Sequence, residues 1–213
     1  MADNVAKYGL RPYQANGAVP KAQRMSVASG YDGVDNAAAS VVISPGDPVK
    51  LVSTGTVALC QDTEACWGVV QSVLPYWNAA EGVMTPSRTL PNQVVWGTIE
   101  ERRYWLMVVP VNNSQWEIDC DDATTATTFT AYQLLVGQNV EVKLNGNTTL
   151  TTAKPQCDIS TVATTGTLIW RIEGISQSED NKDFSGANVK VVLSCNVSQA
   201  AGQADPDELA EGV

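Results

Sequence analysis

The chain has 213 residues, 44% of them apolar and 17% charged, with a net charge of −10 and no histidine, a balance that suits a folded chain with one good core or two small ones. It holds no run near the roughly 18 apolar residues a membrane-spanning helix needs, and Met1-Ala2-Asp3-Asn4 has neither the basic nor the apolar region of a secretory signal, so no membrane and no export are expected. The missing histidine removes Ser-His-Asp and Cys-His catalysis, and the acidic balance opposes nucleic-acid binding, which rests on phosphate neutralisation.

Residues 1–40 read as an extended arm. From Gln14 to Ser40 there is no apolar period of 3.6 or 2, and Gly17, Pro20, Gly30 and Gly33 interrupt the stretch. Such a segment is expected to add little to the body's core and to be ordered by a partner's surface, which would offset the entropy of fixing it. Lys7, Arg11, Lys21 and Arg24 against Asp3 give residues 1–30 a net +3, leaving −13 on the rest. Arm and acidic body therefore attract, at about 0 to 1 kcal/mol per surface pair; a solvated linker with incidental charges is the plainer alternative.

Residues 41–200 read as one all-β domain, an antiparallel β-sandwich or barrel, followed by an acidic tail over 201–213. Strands are expected at 49–52, 56–60, 67–73, 94–99, 104–109, 116–118, 140–144, 168–175 and 189–197, all short and rich in β-branched or aromatic residues. Val140, Val142 and Leu144 alternate with Glu141 and Lys143, as a half-buried strand requires. Ser53-Thr54-Gly55 links two strands as a hairpin. The region from Leu74 to Pro91, with three prolines, looks like an excursion from the sheet. Only Phe129 to Val136, stopped by Gly137, has helical character.

Cys60, Cys66, Cys120, Cys157 and Cys195 form no C-x-x-C pair, and five is an odd number. Buried, reduced thiols are expected, with Cys60 to Cys66 the one pairing a hairpin could bring about. Without histidine a zinc site would need thiolates or carboxylates alone. Glu100-Glu101 would point to opposite faces of a strand. The run Asp119, Asp121, Asp122 lacks the glycine and distal glutamate of a calcium loop, so a solvated acidic turn is expected there. Neither enzyme activity nor a cofactor or metal is expected. Of the six tryptophans, Trp96, Trp105 and Trp170 fit strand patterns and are expected in the core; Tyr76-Trp77, in the proline-rich excursion, is the better candidate for a partner contact.

Several pieces in a fixed order carry a resemblance: Tyr8 to Pro12, Gly46 to Leu51, Gly68-Val69-Val70, Gln115 to Ile118, Thr167 to Ile175, Asp180-Asn181, and Asn188 to Leu193. Together, over most of residues 7–199, they resemble the head decoration, or cement, proteins of tailed bacteriophages. The chain departs from that pattern at Leu10, where an aromatic is usual, in its tryptophan-rich middle and in the tail from Asp205 to Glu208. The resemblance implies a protein made in the host cytoplasm and carried on the capsid outer surface of the virion, where it clamps neighbouring major capsid protein subunits. It also implies a homo-oligomer, a trimer in preference to a dimer. On this reading Tyr8, Leu10, Pro12 and Tyr13 are apolar anchors of the arm, and Lys7 and Arg11 orient them against acidic patches. A tail-tube or head-closure subunit, or a carbohydrate-binding module using Tyr76 and Trp77, are the alternative readings.

Overall fold

The computed structural model describes residues 9–15, 21–27, 43–53, 55–61, 64–78, 83–85, 105–112, 114–121, 125–144, 154–186 and 188–199. Its strands are β1 (Arg11–Ala15), β2 (Gln23–Ser26), β3 (Pro48–Leu51), β4 (Val57–Leu59), β5 (Gly68–Val73), β6 (Tyr76–Asn78), β7 (Val83–Thr85), β8 (Trp105–Pro110), β9 (Ser114–Asp119), β10 (Asn139–Lys143), β11 (Gln156–Ala163), β12 (Trp170–Ile175) and β13 (Lys190–Cys195). One helix, α1 (Phe129–Leu135), lies between β9 and β10. Among the described residues no helix is long and apolar enough to cross a membrane.

Two antiparallel sheets make the body, as the alternating strands required. The first has the order β1-β9-β13-β12-β10-β11 and the second β2-β8-β5-β3-β4, while β6 and β7 form a separate two-stranded ribbon. The first sheet is apolar on one face: Trp116 and Ile118, Val140 and Val142, Cys157 and Ile159, Trp170 and Ile172, Val191 and Leu193 alternate along their strands into one core. Strands β5 and β8 of the second sheet are buried on both faces. Val69 and Val109 join that core, whereas Val70, Leu106 and Val108 face a second one with Val49, Val57 and Leu59. This is why their sequences read as nearly continuous apolar runs.

The first sheet curls. Four antiparallel steps lead from β9 through β13, β12 and β10 to β11, so β11 runs in the direction of β9 again. The two then meet in a parallel bridge between Cys120 and Cys157, with the Asp121 N–H donating to the Cys157 carbonyl at 3.0 Å. A seam thus closes five of the six strands, and β1 lies outside the closure on the far edge of β9.

Local chemistry explains the turns. Val52 and Thr56 close the β3–β4 hairpin by a 3.0 Å hydrogen bond, and Gly55 takes φ +73° there. Thr128 caps α1 with its hydroxyl accepting from the Ala131 N–H at 3.2 Å. Gly137, at φ +88°, ends the helix and donates to the Ile172 carbonyl at 2.7 Å. Gly68 has a steric reason: a Cβ there would lie 2.6 Å from Val108 Cγ1 and 2.8 Å from the Val109 carbonyl oxygen.

Several expectations change. Segments 9–15 and 21–27 of the expected arm are strands of the body, β1 on the edge of the first sheet and β2 on the edge of the second. Leu10 and Val27 are core residues, although the stretch was expected to add little to a core. Aperiodic sequence misleads here because each piece is short and sits at an edge, where only one or two side chains need burial. The proline-rich excursion contains the β6–β7 ribbon. Strand β11 was not expected, its alternation being diluted by Asp158, Ser160 and Thr161. Trp170 is buried as expected, but Trp105 is only half-buried under the guanidinium of Arg24, 4.1 Å from the ring centroid. Asp119 is buried opposite Lys190 rather than in a solvated turn. The expected strand 94–99, Trp96 and Asp122 lie outside the described residues.

Candidate functional site

The arm docks where two of the quoted sequence pieces meet. Gly9, at φ +69°, turns the chain so that the Leu10 N–H donates to the Gly46 carbonyl at 3.0 Å. A side chain at position 9 would collide, since a Cβ there would lie 2.9 Å from that same oxygen. The Gly46 turn is itself braced. Ser44 donates to the Asp47 carboxylate through its N–H at 2.7 Å and its hydroxyl at 3.0 Å. Lys154 Nζ donates to Ser44 Oγ at 2.8 Å and the Pro45 carbonyl at 2.9 Å. Burial lowers the Lys154 pKa, and the Asp47 charge works against that shift.

Beyond Gly9 the arm becomes β1, and its side chains divide by role. Leu10 enters the core at 2% exposure. Arg11 forms an ion pair with Glu117, whose carboxylate is buried and also accepts from the Ser176 hydroxyl. Pro12 faces Trp116 across the strand pair, and the register slips between Pro12 and Gln14, leaving Tyr13 as the extra residue of a bulge. Tyr13 is consequently turned outward and 41% exposed. Proline and a bulge on an edge strand both discourage indiscriminate pairing with another chain, so this edge offers side chains more readily than backbone.

The face of the first sheet that carries Glu117 is covered by the segment from Ser176 to Asn181. Asn181 donates to the Ser176 and Lys190 carbonyls, each at 2.9 Å, and accepts from the Lys190 N–H at 2.9 Å. Lys190 is 1% exposed and forms an ion pair with Asp180. The hydrogen bond from Lys190 holds the Asp180 carboxyl below its usual pKa. Next to this cover, Phe129, Ile175, Ser176, Gln177, Ser178, Asn181, Lys182 and Phe184 line a cleft of 320 Å³. Phe129 and Phe184 meet edge to face at 5.3 Å. With Leu134 and Val136, Phe129 makes α1 a source of exposed apolar side chains, a feature the sequence reading passed over because the same residues supplied the helix pattern.

The expected contact residues therefore separate. Pro12 and Tyr13 are exposed, Arg11 is committed to Glu117, and Leu10 is inside. Lys7 and Tyr8 lie outside the described residues. Tyr76 and Trp77 pair with Thr85 and Met84 in the ribbon, and their side chains lie outside the description. Among the described residues no group of three or more histidine, cysteine or carboxylate side chains could hold a metal ion.

No family model matches the chain, and no curated protein matches it. Two solved structures show a low likeness. The pre-mature bacteriophage phi29 gene product 12 aligns at 14% identity and a TM-score of 0.34, over 88% of this chain and 22% of that one. The C-terminal fragment of bacteriophage phi29 gene product 12 aligns at 16% identity and a TM-score of 0.32, over 82% and 99% of the two chains. The chain spans about a fifth of the first protein's length. At such scores the likeness carries no conclusion about fold or function.

Proposed function

We propose that this chain is a non-catalytic structural protein of a tailed-phage virion, which binds the outer surface of the capsid shell and ties neighbouring major capsid protein subunits together. The observation that carries the reading is the division of labour in β1. Leu10 and Arg11 root the strand in the body, and the bulge beside them turns Tyr13 out at the sheet edge. A clip requires that combination: a rigid β body, and a contact residue presented on an element whose ordering cost is already met by folding. Many such contacts in register strengthen a shell even when each is weak. The ordered sequence pieces that resemble cement proteins point the same way, and the protein acts as a homo-oligomer, a trimer in preference to a dimer.

Co-sedimentation with empty shells tests this. The intact protein should saturate shells at a fixed ratio to capsid protein, and Tyr13→Ser should weaken binding at least tenfold while its melting temperature stays put. Failure of the intact protein to bind shells overturns the reading. Spontaneous rings or tubes of the purified protein would instead favour the tail-tube or head-closure alternative.

A further inference from the structure

All five cysteines are free thiols, yet the fold sorts them into two groups that the sequence spacing conceals. Cys66 neighbours both Cys60 and Cys195. In that group every thiol is also aimed at a backbone carbonyl: Cys60 at Glu64 at 3.0 Å, Cys66 at Gly68 at 3.4 Å and Cys195 at Val197 at 3.1 Å. Cys120 and Cys157 are placed differently. They are the two bridge partners of the β9–β11 seam, and both have 0% exposure. The backbone on either side is tied as well, by the Asp121 N–H to the Cys157 carbonyl at 3.0 Å and by Gln156 Nε2 to the Cys120 carbonyl at 3.4 Å.

Paired strands lie about 4.8 Å apart, and disulfides span Cα separations of roughly 4.4 to 6.8 Å. Bridge partners also project their side chains to the same face of the sheet. A bond between these two sulfurs therefore asks for side-chain rotation and little backbone movement. We propose that Cys120 and Cys157 form a disulfide that staples the seam of the first sheet when the folded protein meets a peroxide. One thiolate attacks a peroxide oxygen, the O–O bond breaks, and the departing hydroxide takes a proton and leaves as water, so the sulfur becomes a sulfenic acid. The partner thiolate then attacks that sulfur; the S–S bond forms, the S–O bond breaks, and a second water leaves. Two thiols lose two electrons and two protons, and one peroxide is reduced to two waters.

Burial decides the character of the site. It pushes the Cys120 thiol pKa up, so little thiolate exists at neutral pH and the reaction is slow and faster in alkali. It also keeps out glutathione, which would have to enter the seam to form or break the bond. The bond encloses the segment carrying α1 and β10, which its formation tethers to both sides of the seam.

The test is to expose the native, full-length protein to hydrogen peroxide, remove the oxidant with catalase, and alkylate under denaturing, non-reducing conditions. Labels should fall from the full five by two, and return with dithiothreitol. Trypsin cuts at Lys143 and Arg171 would place the two cysteines in separate peptides, 104–143 and 144–171, which should be recovered as one disulfide-linked pair. Retention of all labels, a loss that dithiothreitol does not reverse, or a bond confined to Cys60, Cys66 and Cys195 overturns the proposal. Cys157→Ser should keep its four remaining labels through the same treatment. Loss of two from that variant would assign the chemistry to the other group and likewise overturn it, and the wild-type peptide map decides the matter even where the variant folds poorly.

Discussion

Leu10 and Tyr13 lie three residues apart in the arm and should respond oppositely to truncation. Leu10 is 2% exposed and packed in the larger core. Removing a buried leucine to alanine costs about 2 to 5 kcal/mol, the spread reflecting how far the site can collapse. Leu10 lies at the start of an edge strand, where neighbours can settle inward, so the lower part of the range, about 2 to 3 kcal/mol, is expected for Leu10→Ala. At about 2 to 4 °C per kcal/mol for a chain of this size, the melting temperature should fall by roughly 4 to 12 °C. Tyr13→Ser removes a side chain that stands out from a bulge and should change stability by no more than about 0.5 kcal/mol. Urea titration followed by tryptophan fluorescence measures both. A Leu10→Ala cost below about 0.5 kcal/mol would mean that the arm is not part of the core, and the division of β1 into root and contact would fail. The same comparison explains why deleting residues 1–13 is a poor probe of binding. It removes Leu10 from the core and leaves the Glu117 carboxylate buried without its guanidinium, which mixes folding with function.

Gly68→Ala should destabilise by about 1 to 3 kcal/mol, because the new methyl would have to displace Val108 Cγ1 and the Val109 carbonyl in strands packed on both faces; unchanged urea midpoints would show that this approach is looser than drawn. Asp180 has a folded pKa below its unfolded one, so its contribution is present above the unfolded value of about 3.9 and is lost as pH falls through the folded value. Asp180→Asn should thus lower stability at pH 7 by leaving Lys190 buried without that carboxylate, and should reduce the further loss on going to pH 3. A variant with the wild-type pH slope would remove the Lys190 pair from the account. Asp121 shifts the other way, pushed up by burial and by Asp158, and Asp121→Asn should cost little or nothing at pH 7 in the same titration.

Strands with clean alternation or dense apolar runs were legible, as at Val140 to Leu144 and Gly68 to Val73, because burial on one face or both leaves a pattern in a single segment. The helix was legible too, from its period and its glycine stop. What stayed hidden was any element whose reason lies in a distant residue. Nothing within Tyr8 to Pro12 shows that Gly9 needs the Gly46 carbonyl or that Arg11 needs Glu117. The Cys120–Cys157 juxtaposition likewise exists only once four strand pairings have brought β11 back to β9. The pieces that carry the resemblance to cement proteins are largely these long-range fastenings: Gly9 and Leu10 on Gly46, Arg11 on Glu117, Asp180 and Asn181 on Lys190. They speak to how the chain folds. The proposed contact surface is a separate matter: Pro12 and Tyr13 were named from the arm, whereas the exposed apolar side chains of α1 were marked by nothing in the sequence.

The most direct measurement is cryo-electron microscopy of empty capsid shells incubated with the intact protein and, in parallel, with Tyr13→Ser at the same concentration. The account predicts ordered density on the outer surface between neighbouring capsomers, with the β1 edge toward the shell, and sharply reduced occupancy for the variant. Bare shells with the intact protein, or equal occupancy with both proteins, would contradict it.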